Sequence, residues 1–116
     1  MRNPDNLRVY RLAVEVFETI AGYRPPCRTP LYEAQRSTES IKNNIREGCY
    51  RPTEPDFLRF IGYAQGSASE ASGQFWQCGL NGQLPRGIAE NLEDKAQHIL
   101  AMLIKLSRFN KKRLVG

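Results

Sequence analysis

The sequence lacks several features that would assign it to a particular class of protein. It has no apolar run of 18 residues, so no segment is expected to span a membrane. Its first ten residues, MRNPDNLRVY, lack the apolar core of a secretory signal. Apolar and polar residues do not alternate with a period of two over any useful length, so strands are not expected. These absences predict a cytoplasmic, helical protein.

Groups that carry out catalysis or bind metals are also scarce. Any Cys–His or Ser–His pair would depend on the single histidine, His98, and no glutamate stands three residues before it, as a di-iron site in a bundle requires. The cysteines, Cys27, Cys49 and Cys78, include no CxxC pair, which argues against disulfides and zinc. No GxxxxGKS or GxxxxGKT phosphate loop is present. We therefore predict no catalytic residue, no metal and no cofactor, and a protein that is not an enzyme.

What is present is typical of one globular domain spanning residues 1–116. A chain of this length can bury about two-thirds of its unfolded surface. Hydrophobic residues make up 41% of it and charged residues 25%, as in ordinary globular proteins.

Four segments carry apolar residues at helical spacing. The first covers about residues 7–22, where Asp5 or Asn6 can cap it and Gly22 ends it. The second covers about 30–48, with Thr29 as the cap and Pro30 at the first position. The predicted core stripes are Tyr10, Ala13, Val14, Phe17, Ile20 and Ala21 in the first, and Leu31, Ala34, Thr38, Ile41 and Ile45 in the second.

The third segment contains a stretch, GSASEASG, with the composition of a flexible linker. Its apolar residues nevertheless keep helical phase, which a linker has no reason to do, so a helix over about 54–79 is predicted. Thr53 can accept from the amide of Asp56, whose carboxylate can reach back in a capping box. The fourth helix is predicted over about 85–110, with a basic tail over 105–116. The core stripes are Phe57, Ile61, Ala64, Ala68, Ala71, Phe75 and Cys78 in the third, and Ile88, Leu92, Ala96, Ile99, Leu103 and Leu106 in the fourth.

Four amphipathic helices joined by short turns predict an all-α fold, an antiparallel up-down-up-down four-helix bundle. The third helix is unusual because a glycine inside a helix costs up to about 1 kcal/mol relative to alanine. At about 100° per residue, Gly62, Gly66, Ser69 and Gly73 fall on one line opposite the core stripe, with Glu70 beside it. Small residues are useful where another backbone must come close.

The second helix also collects poor helix formers opposite its core stripe, namely Arg36, Ser40, Asn43, Asn44 and Glu47. For any single residue, an ordinary solvated face is the simpler interpretation. For the two faces together we favour a subunit interface, so a homo-oligomer is predicted. Trp76 and Leu58 flank the glycine line and would add apolar contact. Glu70 can pair with Arg36 or Arg59.

The net charge of +5 is concentrated at the C-terminal end. The last twelve residues hold five cations and no acid, while the rest of the chain has equal numbers of both. Such a cluster either attracts polyanions or completes a helix by offsetting its dipole. The predicted contacts to RNA or DNA phosphates are Lys105, Arg108, Lys111, Lys112 and Arg113, joined by Arg8, Arg11 and Arg51. Tyr10, Tyr50 and Phe109 lie near these bases as candidate stacking rings, although packing in the core or a loop is the simpler interpretation for each.

Three stretches, LRVYRLAVEVF, QRSTESIKNNIREG and FLRFIGYAQGSASE, resemble the bacterial four-helix-bundle family, also called the ribosomal-RNA intervening-sequence protein family. The resemblance covers about residues 7–109. Its most specific parts are the patterns Ser-Ile-x-x-Asn-Ile-x-Glu-Gly and Gly-Ser-x-x-Glu. In this chain they are Ser40, Ile41, Asn44, Ile45, Glu47 and Gly48, followed by Gly66, Ser67 and Glu70.

The resemblance implies an antiparallel bundle that assembles into a ring-like homopentamer. Related bundles are accessory proteins of diversity-generating retroelements and bind a reverse transcriptase and its RNA. The chain departs from the family pattern where Gln35 replaces one of two adjacent arginines, Lys42 replaces a proline and Arg46 replaces an alanine. A nucleic-acid-binding accessory protein is therefore the first functional hypothesis. A purely protein-binding scaffold without nucleic-acid contact is the second.

Overall fold

The computed structural model describes the backbone of residues 2–115 and the side chains of residues 2–112. A short 3-10 turn, Pro4–Asn6, precedes four helices, which are α1 (Arg8–Ala21), α2 (Pro30–Cys49), α3 (Glu54–Asn81) and α4 (Arg86–Val115). Residues 2–115 contain no strand, and none of their helices is long and apolar enough to cross a membrane. Because α4 continues to Val115, the basic residues predicted as a tail lie on a helix.

The helices form a closed bundle in which each one packs against two others, in the order α1, α2, α3, α4 and back to α1. Contact pairs run in opposite order along neighbouring helices, so neighbours are antiparallel and the predicted four-helix bundle is confirmed. The pairs are Phe17 with Lys42 and Ile20 with Gln35 for α1 and α2, Ser40 with Ser67 and Gly48 with Phe60 for α2 and α3, and Gln65 with Leu103 and Ser72 with Gln97 for α3 and α4.

The interior is lined as predicted along α2 and α3, where every residue of the two predicted stripes is buried. Phe57 begins the α3 stripe, Phe75 and Cys78 end it, and alanines fill its middle. Small side chains there let the neighbouring helices approach α3 closely, and the branched residues of α2 and α4 fill the remaining space. The stretch that resembles a linker is therefore the central helix of the bundle.

The predicted stripe of α1 was partly wrong. The buried residues of α1 are Val9, Ala13, Val16 and Ile20, whereas Ala21 is exposed. The predicted Tyr10, Val14 and Phe17 are only half-buried, because α1 sits between α2 and α4 and turns Val9 and Val16 inward. In the first turn of α4, Ile88 is exposed and Ala89 is buried instead. Ala89 faces Gly79 of α3, where a Cβ would come within 3.1 Å of the Ala89 Cβ, so only a small side chain fits.

The helix caps follow the sequence in part. The Thr53 hydroxyl accepts a hydrogen bond from the amide of Asp56 at 3.3 Å, as predicted. The Asp56 carboxylate does not reach back, because it pairs with arginines. Thr29 precedes α2, but its side chain does not cap the helix, and the amide of Leu31 donates instead to Gln83 Oε1 at 3.0 Å.

The N-cap of α1 differs from the predicted one, and two of the cysteines are buried. The N-cap of α1 is Leu7, so neither Asp5 nor Asn6 caps it. Cys49 and Cys78 are buried thiols. Burial raises the pKa of Cys49 above its ordinary value, and it raises that of Cys78 to about 11.

Candidate functional site

Four of the predicted phosphate-binding cations lie on the exposed surface of the last turns of α4. Lys105, Arg108, Lys111 and Lys112 are all exposed, and none of them forms an ion pair with a side chain that the structure describes. The side chain of Arg113 lies outside the described residues. The helix dipole favours cations only within the last turn of a helix, and α4 ends at Val115, so the dipole does not account for Lys105 and Arg108.

A groove between α1 and α4 brings together predicted phosphate-binding cations from both helices. One end of it, which we call the basic groove, is lined by Arg8, His98, Met102, Lys105, Leu106 and Phe109. Arg8 comes from the first turn of α1 and Lys105 from α4, so the two cations are far apart in sequence but share one surface. None of the residues lining the basic groove is a carboxylate.

Beyond Arg8 the groove continues with balanced charge. Arg11 lines this continuation, and its Nη1 donates to the main-chain oxygen of Asp5 at 2.6 Å. Glu15 and Lys95 form an ion pair at 3.6 Å across α1 and α4, and Asp94 stands beside them. The excess of positive charge is thus confined to the end of the groove at Arg8 and Lys105.

Arg51 does not share this surface. It belongs to a group at the turn between α2 and α3, which we call the turn cluster and which comprises Glu47, Arg51, Asp56, Arg59, Phe60 and Tyr63. Arg51 pairs with Glu47 at 3.3 Å and with Asp56 at 3.8 Å, and its guanidinium lies 5.4 Å from the centre of the Phe60 ring. Two carboxylates of the chain therefore already pair with its guanidinium, which argues against the predicted phosphate contact.

One residue of the predicted α2 interface, Ser40, contacts α3 of the same chain. The Ser40 and Ser67 hydroxyls are 2.8 Å apart, and the Asn44 side-chain amide donates to the Ser40 hydroxyl at 3.1 Å. Gly48 lies against α3, where a Cβ would come within 3.1 Å of the Phe60 Cβ. The two most specific sequence patterns therefore meet each other. Of the predicted α2 face, Arg36, Asn43 and Glu47 remain exposed.

The predicted α3 face is open to the outside in the single chain. Gly62, Gly66 and Gly73 are exposed, and a Cβ added at any of them would meet nothing within 4 Å. Packing within the chain therefore does not require these glycines. Ser69 and Glu70 are exposed beside them, and Glu70 forms no ion pair with a described side chain.

Apolar side chains continue this face toward the end of α3. Trp76 is 56% exposed and Leu80 is 53% exposed, and both line a depression between α3 and α4. Leu58, the other predicted flanking residue, is half-buried. The sequence analysis did not include Leu80. It follows Gly73 by seven residues and Trp76 by four, a helical spacing that places it on the same side of α3.

Phe109 also departs from the interpretation favoured by the sequence. Phe109 is 61% exposed, more than any other large hydrophobic residue whose side chain the structure describes, so it packs in neither the core nor a loop. Tyr50 is 52% exposed and Tyr10 is half-buried. Among the described side chains, no group of three or more His, Cys, Asp or Glu residues could hold a metal ion.

Comparison with known families agrees with these motifs. The chain matches the family described as 23S rRNA-intervening sequence protein over residues 5–105. No curated protein matches it. Since the match covers most of the 116 residues, the chain belongs to the 23S rRNA-intervening sequence protein family.

Proposed function

We propose that this member of the 23S rRNA-intervening sequence protein family is a cytoplasmic, non-enzymatic homo-oligomer that binds RNA or DNA through phosphate contacts. The observation that carries the proposal is the group of four exposed cations in the last turns of α4, free of ion pairs with the described side chains. Cations that neutralise phosphates release condensed counterions, which supplies most of the affinity in sequence-independent binding.

The assembly part of the proposal is supported by the two edges of α3. On one edge, α3 presents polar groups beside α2, including Glu70. On the other edge, the exposed glycines are followed along α3 by Trp76 and Leu80, which line the depression between α3 and α4. Two unlike surfaces on one protomer fit a heterologous contact, which repeats until a ring closes. A ring, which the family resemblance implies is a homopentamer, repeats the α4 cations once per subunit and strengthens their field.

The nucleic-acid contact is tested by binding of a mixed RNA pool across a salt series. RNA is the first probe because the name of the family refers to 23S rRNA. Replacing both Lys111 and Lys112 with glutamine should lower the slope of log K against log salt by about two. The matched control replaces both Arg24 and Arg46 with glutamine. These arginines are exposed elsewhere on the chain, and their loss lowers the net charge by the same amount as the loss of the two lysines. Binding that ignores both salt and the lysine pair would contradict the proposal.

Assembly is tested by light scattering of the purified protein and of the Gly66→Leu variant. The leucine should block assembly while leaving the far-ultraviolet circular dichroism helical, because a Cβ at Gly66 meets nothing within the chain. Gly87→Leu is the control, since Gly87 is also exposed and open but lies in the first turn of α4. An unmodified protein that is monomeric at micromolar concentration contradicts the proposed ring.

The second hypothesis, a protein-binding scaffold, predicts a different combination of results. The ring would form and Gly66→Leu would disrupt it, yet no RNA or DNA would bind at any salt concentration. We propose a reverse transcriptase as the protein partner, because the chain resembles the accessory bundles of retroelements. Co-purification of the two proteins with and without nuclease treatment distinguishes direct contact from an RNA bridge.

A further inference from the structure

We infer that the basic groove binds single-stranded nucleic acid, with one base stacked on Phe109 and the adjoining phosphates held by Arg8 and Lys105. This inference rests on the proposed nucleic-acid binding and specifies which form of nucleic acid is bound and where. It rests on three features of the described residues, namely an exposed ring, two cations on different helices and the lack of a carboxylate in the groove lining.

The first feature is the position of Phe109. The core side of α4 near this point is formed by Leu103, Ser107 and Asn110, all buried, so the fold does not need a phenyl ring at 109. An aromatic residue that is 61% exposed is accessible to a ligand. Stacking of a base on an aromatic side chain typically strengthens binding about 5- to 150-fold for each base.

The second feature is the pair of cations that flank the ring. Arg8 and Lys105 reach the groove from α1 and α4 and line it together with Phe109. Proteins that bind single strands combine cations that follow the backbone with aromatic rings that accept successive bases. Met102 and Leu106 provide the apolar floor between the two helices.

The third feature is the lack of a carboxylate in the lining of the basic groove, which distinguishes it from the turn cluster. In the turn cluster, Tyr63 is 50% exposed, but Glu47 and Asp56 would repel phosphates that approached it. The basic groove has no such carboxylate in its lining. A duplex keeps its bases stacked on one another and offers only phosphates to a ring of this kind, so the groove favours a single strand.

The test measures fluorescence anisotropy of two RNAs, an oligouridylate of about 12 nucleotides and a blunt-ended duplex of about 12 base pairs, which has no unpaired loop. Phe109→Ala should weaken binding of the oligouridylate about 5- to 150-fold without changing the salt slope, because no cation is lost. Binding of the duplex should not change, because its bases remain stacked on one another. Phe109→Trp should keep the affinity of the unmodified protein. Binding of the oligouridylate should quench the tryptophan fluorescence of this variant more than that of the unmodified protein, whose one tryptophan is Trp76. The control, Tyr63→Ala, removes an equally prominent ring from the turn cluster and should leave the affinity unchanged.

The possible outcomes distinguish this inference from the broader proposal. If neither RNA binds the unmodified protein, the proposed function itself fails. If both bind and Phe109→Ala weakens neither, phosphate binding stands but the stacking site is overturned. If Phe109→Ala reduces the size of the oligomer in light scattering, the groove holds a second copy of the chain, which also overturns the inference. Since Phe109 is exposed, circular dichroism should show each variant folded.

Discussion

Two regions of this bundle contain nearly the same kinds of residue and are organised in opposite ways. The turn cluster and the basic groove each combine two cations with an exposed aromatic ring. In the turn cluster, Asp56 lies 3.2 Å from Arg59, and the guanidinium of Arg59 lies 4.7 Å from the centre of the Phe60 ring. In the basic groove, Arg8 and Lys105 have no such carboxylate partner among the described side chains.

The difference shows that a cation indicates a binding surface only when its neighbours leave it unsatisfied. Arg51 and Arg8 are indistinguishable as basic residues near the ends of helices, and sequence reasoning placed both in one nucleic-acid surface. The structure separates them, because two carboxylates and the Phe60 ring already hold Arg51. We therefore expect the turn cluster to contribute to stability and the basic groove to contribute to binding.

The largest effect should come from removing the cations of the groove. Arg8→Gln combined with Lys105→Gln removes two phosphate contacts, each of which contributes about 8-fold at 0.1 M salt through counterion release. RNA affinity should fall about 60-fold, while the free energy of unfolding in urea should stay within about 0.5 kcal/mol. Anisotropy titration and urea unfolding of the same samples provide the measurements.

The matched control for this variant is Arg51→Gln combined with Arg59→Gln, which removes the same charge from the turn cluster. It should reverse the pattern, leaving RNA affinity within about twofold and lowering the free energy of unfolding, because the ion pairs and the cation–ring contacts of the turn cluster are lost. Equal losses of RNA affinity in both variants would show that binding depends on the net charge of the chain rather than on the cations of the basic groove.

A second prediction disturbs the turn cluster without touching any charge. Gly48→Val places a side chain where even a Cβ lies 3.1 Å from the Phe60 Cβ and 3.4 Å from the carbonyl oxygen of Phe57. The overpacking should cost about 1–3 kcal/mol in urea unfolding, because α2 and α3 are forced apart. Gly87→Val, at an open position, should change stability by about 0.5 kcal/mol at most. RNA affinity should not change in either variant, and a parallel loss of affinity with Gly48→Val would mean that the groove depends on the turn cluster.

The fold could be predicted from the sequence where one face of a helix was apolar without ambiguity. All seven predicted core positions of α3 are buried, because its stripe keeps one phase from Phe57 to Cys78. In α1 the apolar residues form two adjacent strips, and only packing between α2 and α4 selects the strip that contains Val9 and Val16. Ile88 was misplaced for a related reason, since the close approach of Gly79 requires the smaller Ala89.

The candidate site was less predictable because its parts come from distant segments. The sequence indicated that the cations of α4 and those of α1 were of interest, but only the bundle brings Arg8 beside Lys105. The hydrogen bond between Ser40 and Ser67 likewise joins two patterns through serines that are 27 residues apart in the sequence. It assigns part of the predicted subunit face to contacts within the chain. The α3 glycines and Trp76 carry the remaining prediction of an interface.

The smallest predicted effect concerns the carboxylate that distinguishes the two regions. Asp56→Asn keeps the main-chain amide that Thr53 caps but removes the charge that holds Arg51 and Arg59. The loss should be about 1 kcal/mol in urea unfolding, from the ion pairs and from a negative charge at the start of α3. Glu90→Gln, which breaks only the exposed pair with Arg86 at 3.7 Å, should cost less than about 0.5 kcal/mol. Because Asp56→Asn leaves two arginines less satisfied, it should also raise RNA affinity severalfold at low salt. Unchanged affinity in this variant would mean that the carboxylates are not what keeps phosphates away from the turn cluster.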